Sequence, residues 1–213
     1  MLDWIKNNSE LLMVVANFGT LLIWLFYAQL LFLGYRRERR PRILINKGVG
    51  AADLDAPCLI CNMSKEPVFV QSILVELATN DGRYLTSATD TEEGEQDTTK
   101  TSIGRRTRQG PLESGVCLEV PSFRILLQKG ADAAGVQLQD GLPVDPEVKL
   151  EKLTVTVVAI YGPEDDPFGA ERVFGLDCED RQRVRLRPET LDTERLNSRL
   201  DKRRLKDLVG RYN

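Results

Sequence analysis

Residues 11–34, LLMVVANFGTLLIWLFYAQLLFLG, carry no charged side chain in 24 positions, and 19 of them are apolar. Nothing else in the 213 residues limits the fold as strongly. A helix of that length measures about 36 Å at a rise of about 1.5 Å per residue, against a hydrocarbon core of about 30 Å. It is long enough to span a bilayer with some tilt. A buried helix of a soluble protein rarely stays uncharged beyond about 14 residues. A cleaved signal peptide has an apolar part of about 7–15 residues and ends at small residues. This run is longer, and Gly34-Tyr35-Arg36-Arg37 follows it. The segment therefore reads as a single transmembrane helix.

The flanks set the direction. The short segment 1–10 holds Asp3, Lys6 and Glu10, whereas the linker 35–42 holds Arg36, Arg37, Arg39, Arg40 and Arg42. Arginines are retained on the cytoplasmic side of a plasma or bacterial inner membrane. The N-terminus is expected outside and the bulk of the chain in the cytosol. The five arginines are candidates for lipid-headgroup contact, at about 1 kcal/mol each near an anionic surface. Trp4 and Tyr35 suit the two interfaces. Within the span, Asn17, Thr20, Trp24 and Ala28 fall on one helical face, and Ala16 and Thr20 form a small-xxx-small pair; Ala16, Asn17, Thr20 and Trp24 are candidates for helix–helix contact in a homo-oligomer. Gln29 lies on another face, so no continuous polar stripe lines a pore.

All 29 basic and 32 acidic residues lie outside that segment, with a net charge of -3. The small imbalance argues against a nucleic-acid binder. The chain has no histidine, so Ser-His-Asp and Cys-His nucleophiles and histidine metal sites are excluded. No phosphate-cradling glycine motif occurs. Without a recognisable catalytic constellation, no enzyme activity and no cofactor are expected.

After Pro41 the apolar period changes. Ile43–Ile45, Pro57–Cys61, Val68–Leu77, Arg83–Thr86, Val116–Val120, Leu153–Tyr161, Arg172–Leu176 and Arg183–Arg187 read as short strands. Leu153–Tyr161, rich in β-branched residues, is the clearest. Alternation slips near Gln71-Ser72, which predicts a bulge. Asn80-Asp81-Gly82 predicts a tight hairpin turn. Ser122 is placed to cap a short helix over 122–129. Stretches 88–110 and 130–146 read as connections, the first with Asp90, Glu92, Glu93, Glu95 and Asp97 ahead of Arg105, Arg106 and Arg108. The fold class is mainly β: one N-terminal transmembrane helix, then an antiparallel β-sandwich over 43–190. Its pattern is similar to that of immunoglobulin-like sandwiches. The resemblance covers strand spacing only, since no Cys-Trp-Cys signature is present.

Residues 191–213 read as a basic helix, with Leu191-Asp192-Thr193-Glu194 as its acidic first turn. Arg195, Arg199, Lys202, Arg203, Arg204 and Lys206 are candidates for contact with a partner or the membrane surface, unless the helix packs on its own domain. Cys58-Leu59-Ile60-Cys61 is a CxxC, but residues three apart on a strand point to opposite faces. Cys117 and Cys178 stand alone. The expectation is four small apolar side chains in a reducing cytosol, with no zinc and no redox chemistry. Gly162-Pro163-Glu164-Asp165-Asp166-Pro167 lacks the spacing of a calcium loop and reads as a turn. Asn7-Asn8-Ser9 and Asn62-Met63-Ser64 match the glycosylation pattern; the second reads as accidental. The expected role is a membrane-anchored protein whose cytosolic domain is an adaptor or sensor module for a protein partner. The alternative is a membrane-active oligomer gated by that domain.

Overall fold

A computed structural model describes residues 8–38, 40–49, 53–90, 107–162, 166–178 and 183–212. The chain divides into two units, 1–40 and 41–213. The first is helix α1, Ser9–Glu38. Its 9–35 portion is long and apolar enough to cross a membrane. Apolar side chains project from it on every side, and none is buried within the unit.

The second unit is mainly β. One antiparallel sheet has the order β1-β2-β6, formed by Ile43–Lys47, Pro57–Asn62 and Cys117–Ser122. A larger antiparallel sheet has the order β11-β10-β9-β3-β4, formed by Arg185–Pro188, Phe168–Asp177, Leu150–Tyr161, Val68–Thr79 and Gly82–Ser87. Strand β5 (Gly110–Leu112) adds to β3, and β12 (Glu194–Leu196) adds to β10.

The predicted slip in β3 is a bulge, with the register against β9 shifting between Val70 and Ser72. Its physical consequence is plain. Val68 and Val70 before it, and Ile73, Val75 and Leu77 after it, all reach the same core. Strict alternation would put the two sets on opposite faces. Val155, Val157 and Ala159 of β9 and Phe168, Ala170 and Phe174 of β10 join them, with Ile45 and Ile60 from the smaller sheet.

Helix α2 spans Phe123–Ala134, longer than the expected 122–129. Ser122 holds the N-cap position without a side-chain cap, because it is also the last residue of β6. Phe123, Leu126, Leu127 and Ala131 enter the core, and Phe123 meets Phe174 edge-on at 4.7 Å between ring centres. Gly135 ends the helix at φ 69°, a left-handed cap that favours glycine. The expected loop 130–146 instead contains this last turn and a small hairpin, β7 (Leu138–Gln139) and β8 (Leu142–Pro143). Asp140 and Gly141 both take positive φ, 54° and 85°, as a two-residue turn matched to strand twist requires.

The C-terminal helix α3 is shorter than expected, Arg199–Tyr212. Residues 194–196 are strand β12 instead. The helix start is fixed by a reciprocal cap: Asp201 N–H donates to Ser198 Oγ at 3.1 Å, and Ser198 N–H donates to Asp201 Oδ2 at 2.8 Å. The Ser-x-x-Asp spacing satisfies two otherwise orphaned amides. The helix packs on its own unit. Leu205 is 0% exposed against Leu74, Val158 and Leu196, with Leu208, Val209 and Tyr212 beside it.

Candidate functional site

One end of the β unit holds Arg42 and the start of the basic C-terminal helix. Arg42, just ahead of β1, accepts the Met63 N–H at its carbonyl (2.8 Å), and its own N–H donates to Ser64 Oγ (2.8 Å). Asn62 N–H donates to the Val116 carbonyl. The Asn62 amide donates to the Glu66 and Leu112 carbonyls. Leu112 pairs with Val68, and Val68 pairs with Tyr161 at the end of β9. The β2–β3 connection, the β5–β6 connection and the β9–β10 turn therefore meet at the Arg42 end.

Helix α3 begins at this same end. Asp166, in the β9–β10 turn, accepts from Lys206 Nζ at 2.8 Å and Lys202 Nζ at 3.4 Å. These two lysines hold its carboxyl below the ordinary aspartate value, Lys206 first. Arg199, Arg203 and Arg204 are exposed, while Arg195 is partly covered on β12. The Arg42 guanidinium meets Asp192 at 2.6 Å, with both side chains more than half exposed. Arg36 and Arg37 lie in the last turn of α1, Arg40 is exposed, and Arg39 lies outside the described residues.

On α1, Asn17, Thr20 and Trp24 are exposed, and Ala16 shares their face. The Thr20 hydroxyl donates to the Ala16 carbonyl at 2.8 Å within the helix. That bond satisfies the hydroxyl locally, as threonine does in apolar surroundings. Asn17 is left as the polar group on this face with no such internal partner among the described residues.

The cysteine expectation is corrected. Cys61 and Cys117 form a disulfide. They are directly opposite in the β2–β6 register, a relation that spacing alone does not reveal. Cys58 and Cys178 are free. Cys58 points inward from β2, away from Cys61, so the CxxC does not converge. Burial pushes its thiol up to about 12, against a smaller opposing pull from the Arg172 charge. Burial also raises the half-buried Cys178.

Sequence reasoning missed Arg172. It occupies a core-facing position of β10, between Ala170 and Phe174, and is 5% exposed. Its guanidinium donates to the Ile45 carbonyl, to Asn46 Oδ1 at 3.0 Å and to the Thr190 carbonyl at 3.3 Å. It also lies 5.6 Å from the Phe174 ring centre. No carboxylate pairs with it among the described residues. A buried cation held by neutral oxygens clips the larger sheet to β1 and to the chain before β12. The available signal was an arginine standing in phase with Phe168, Ala170, Phe174 and Leu176.

A cavity of about 690 Å³ lies beside the β7–β8 hairpin, lined by Leu142, Pro143, Val148, Leu150, Lys149 and Cys178 among others. Its size falls within the ordinary range for small-molecule pockets. Asn62 of the second glycosylation pattern is buried and fully engaged. Glu164 and Asp165 of the acidic turn, the 91–106 charge cluster, Trp4 and Asn7 lie outside the described residues. Among the described residues no group of three metal-ligating side chains comes together. Comparison with protein-family models, with curated proteins and with solved structures finds no match.

Proposed function

We propose that the chain is a single-pass membrane protein, N-terminus outside, whose β unit is a two-sheet sandwich serving in the cytosol as an adaptor or sensor module. The observation that carries this reading is the division of the chain. A 27-residue apolar stretch and a β unit with its own core are joined through an arginine-rich segment. Such an arrangement anchors a folded module at a lipid surface. Support for binding rather than catalysis comes from the chain's lack of histidine and from loops and a cavity that offer recognition surfaces. The test has two arms. Alkaline carbonate extraction leaves the full chain in the membrane pellet; release into the supernatant overturns the anchor. Affinity capture of the full chain from mildly solubilised membranes then retains a specific partner, and repeated capture of nothing overturns the adaptor role.

A second reading has its own observation. The Asn17 amide faces outward from an apolar helix, where a second copy offers a hydrogen-bond partner worth about 0.6 kcal/mol. Cross-linking in native membranes that yields a dimer or larger species, lost in Asn17→Leu, favours an oligomer.

A further inference from the structure

Strands β1, β6 and β11 each lie at a sheet edge, and each carries a device that discourages further pairing. On β1, the Ile45 N–H donates to Thr193 Oγ1 and the Ile45 carbonyl accepts from Arg172. Strand β6 holds Glu119 and Pro121, and β11 holds Arg185, Arg187 and Pro188. Strand β4, at the end of the larger sheet, differs. It has no proline, one charged residue, Arg83, and an unbroken register with β3.

The phase of its hydrogen bonds fixes which backbone groups face outward. The Ala88 N–H donates to the Ile73 carbonyl. Hydrogen-bonded pairs recur at every second position of an antiparallel ladder, so Thr86 bonds with Val75 and Tyr84 with Leu77. The N–H and C=O groups of Arg83, Leu85 and Ser87 therefore point away from β3. The Tyr212 hydroxyl agrees, since it donates to the Leu85 carbonyl at 3.0 Å. That oxygen has a second acceptor position. The other outward groups have no hydrogen-bond partner among the described residues.

We propose that this edge pairs with the same edge of a second copy of the chain, antiparallel about a twofold axis at Leu85. Leu85 then lies opposite Leu85 of the second copy, Arg83 opposite its Ser87, and Tyr84 opposite its Thr86. Every residue with outward N–H and C=O faces another of the same kind. A shift of one residue sets outward groups against inward ones, and a shift of two carries an end residue past its partner strand. The side chains fit the same register. Leucine meets leucine, tyrosine meets a β-branched threonine, and arginine meets a neutral serine, so no like charges lie opposite. This self-complementarity selects a second copy over an unrelated strand. The contact is independent of Asn17 on α1 and of any adaptor role.

The experiment uses the full chain carrying Asn17→Leu in detergent, so that the α1 contact supplies no dimer. Sedimentation equilibrium gives the dissociation constant. Arg83 is 78% exposed and only loosely matched by Glu76 at 3.8 Å, so it answers a charge placed opposite. Ser87→Glu sets a carboxylate against Arg83 of the second copy, and Ser87→Lys sets a like charge there. Both lose the same bond from Ser87 Oγ to Thr89 Oγ1, so a merely structural effect moves them together. Ser87→Glu tightens the dimer and Ser87→Lys weakens it, to constants about tenfold apart, because each dimer carries two such pairs. Hydrogen exchange of the Leu85 amide slows as concentration rises. The Thr86 amide, bonded to β3 in both states, stays slow and verifies that each variant keeps the hairpin. A chain that is monomeric at every concentration overturns the proposal, as does a dimer with equal constants for the two variants. A Leu85 amide already slow in the monomer shows that another segment occupies the edge, and also overturns it.

Discussion

Leu205→Ala tests whether the basic helix belongs to the β unit. Leu205 is fully buried, and its terminal carbons lie against Gly169, where an added Cβ would stand only 3.0 Å away. The floor of the site is thus bare backbone, which cannot move up to fill a void. Leu196, Leu208 and Val209 can close part of it from the sides. Leucine-to-alanine changes in cores cost about 2–5 kcal/mol, set by how well the site collapses. A rigid floor with flexible walls places this site near 3 kcal/mol, in the middle of that range. With a urea slope of about 2 kcal/mol per molar, the unfolding midpoint of the full chain in detergent drops by about 1.5 M. Limited trypsin digestion reads the same loss locally, because Arg199, Arg203, Arg204 and Lys206 become cleavable as the helix detaches. Leu205→Met keeps the volume and costs less than about 1.5 kcal/mol. A midpoint shift under about 0.5 M for Leu205→Ala, with unchanged trypsin cutting, refutes the packed helix.

Gly130→Ala is expected to destabilise by about 1–3 kcal/mol despite alanine's better helix propensity, because the new Cβ would stand 2.8 Å from Leu77 Cβ; an unchanged thermal midpoint contradicts that close approach. Acid should loosen α3. The Ser198 hydroxyl holds Asp201 below the ordinary aspartate value, and Lys206 with Lys202 does the same for Asp166. Carboxylates depressed on folding stabilise above the unfolded value of 3.8 and lose that contribution as pH falls below it through the folded value. Trypsin-independent hydrogen exchange of residues 199–206 should therefore quicken below pH 3.8; exchange that is flat across that range contradicts the two anchors. Cys58 should resist iodoacetamide in the native chain while Cys178 reacts slowly, since a buried thiol pushed up to about 12 holds almost no thiolate at neutral pH. Native-state labelling of Cys58 would show that the β2 face is open.

The strands were readable wherever β-branched residues alternate or run together, as in β3 and β9, and the bulge was visible as a phase slip. Their pairing was not. Antiparallel partners far apart in sequence carry no local mark, so β6 beside β2, and hence Cys117 opposite Cys61, had to come from the fold. Two local signals were present but outweighed. Asp140-Gly141 is as strong a turn signal as Asp81-Gly82, yet its strands have two residues each and leave no alternation to read. Ser198-x-x-Asp201 marks the start of α3 better than the acidic 191–194 stretch, whose Glu194 pairs with β10 instead. Arg172 was hidden for the opposite reason. Charge on a strand normally reads as an outward position, and only the oxygens supplied by Ile45, Asn46 and Thr190 make the inward one tolerable. Of the candidate site, the basic residues of α3 were legible from composition, whereas the meeting of the β2–β3 and β5–β6 connections beside Arg42 depends on long-range register.

Two signals about compartment pull in opposite directions, and one measurement separates them. The arginines after α1 favour a β unit in the cytosol, where glutathione keeps thiols reduced. The Cys61–Cys117 bond belongs to an oxidising compartment. The fold itself does not need that bond. The β2–β6 ladder, with Asn62 N–H on the Val116 carbonyl and Gly115 N–H on the Asn62 carbonyl, brings the two sulfurs together whether or not they join. The pair is therefore a reporter of where the unit resides. With thiols trapped by alkylation at the moment of lysis, a cytosolic unit yields Cys61 and Cys117 both modified, and a unit on the other side yields neither until reductant is added. Bonded cysteines in trapped cells, together with activity of a periplasm-dependent reporter fused after Asn213, would overturn the arginine-based orientation. Free thiols with no reporter activity would mean that the register alone, not oxidation, sets the sulfurs side by side.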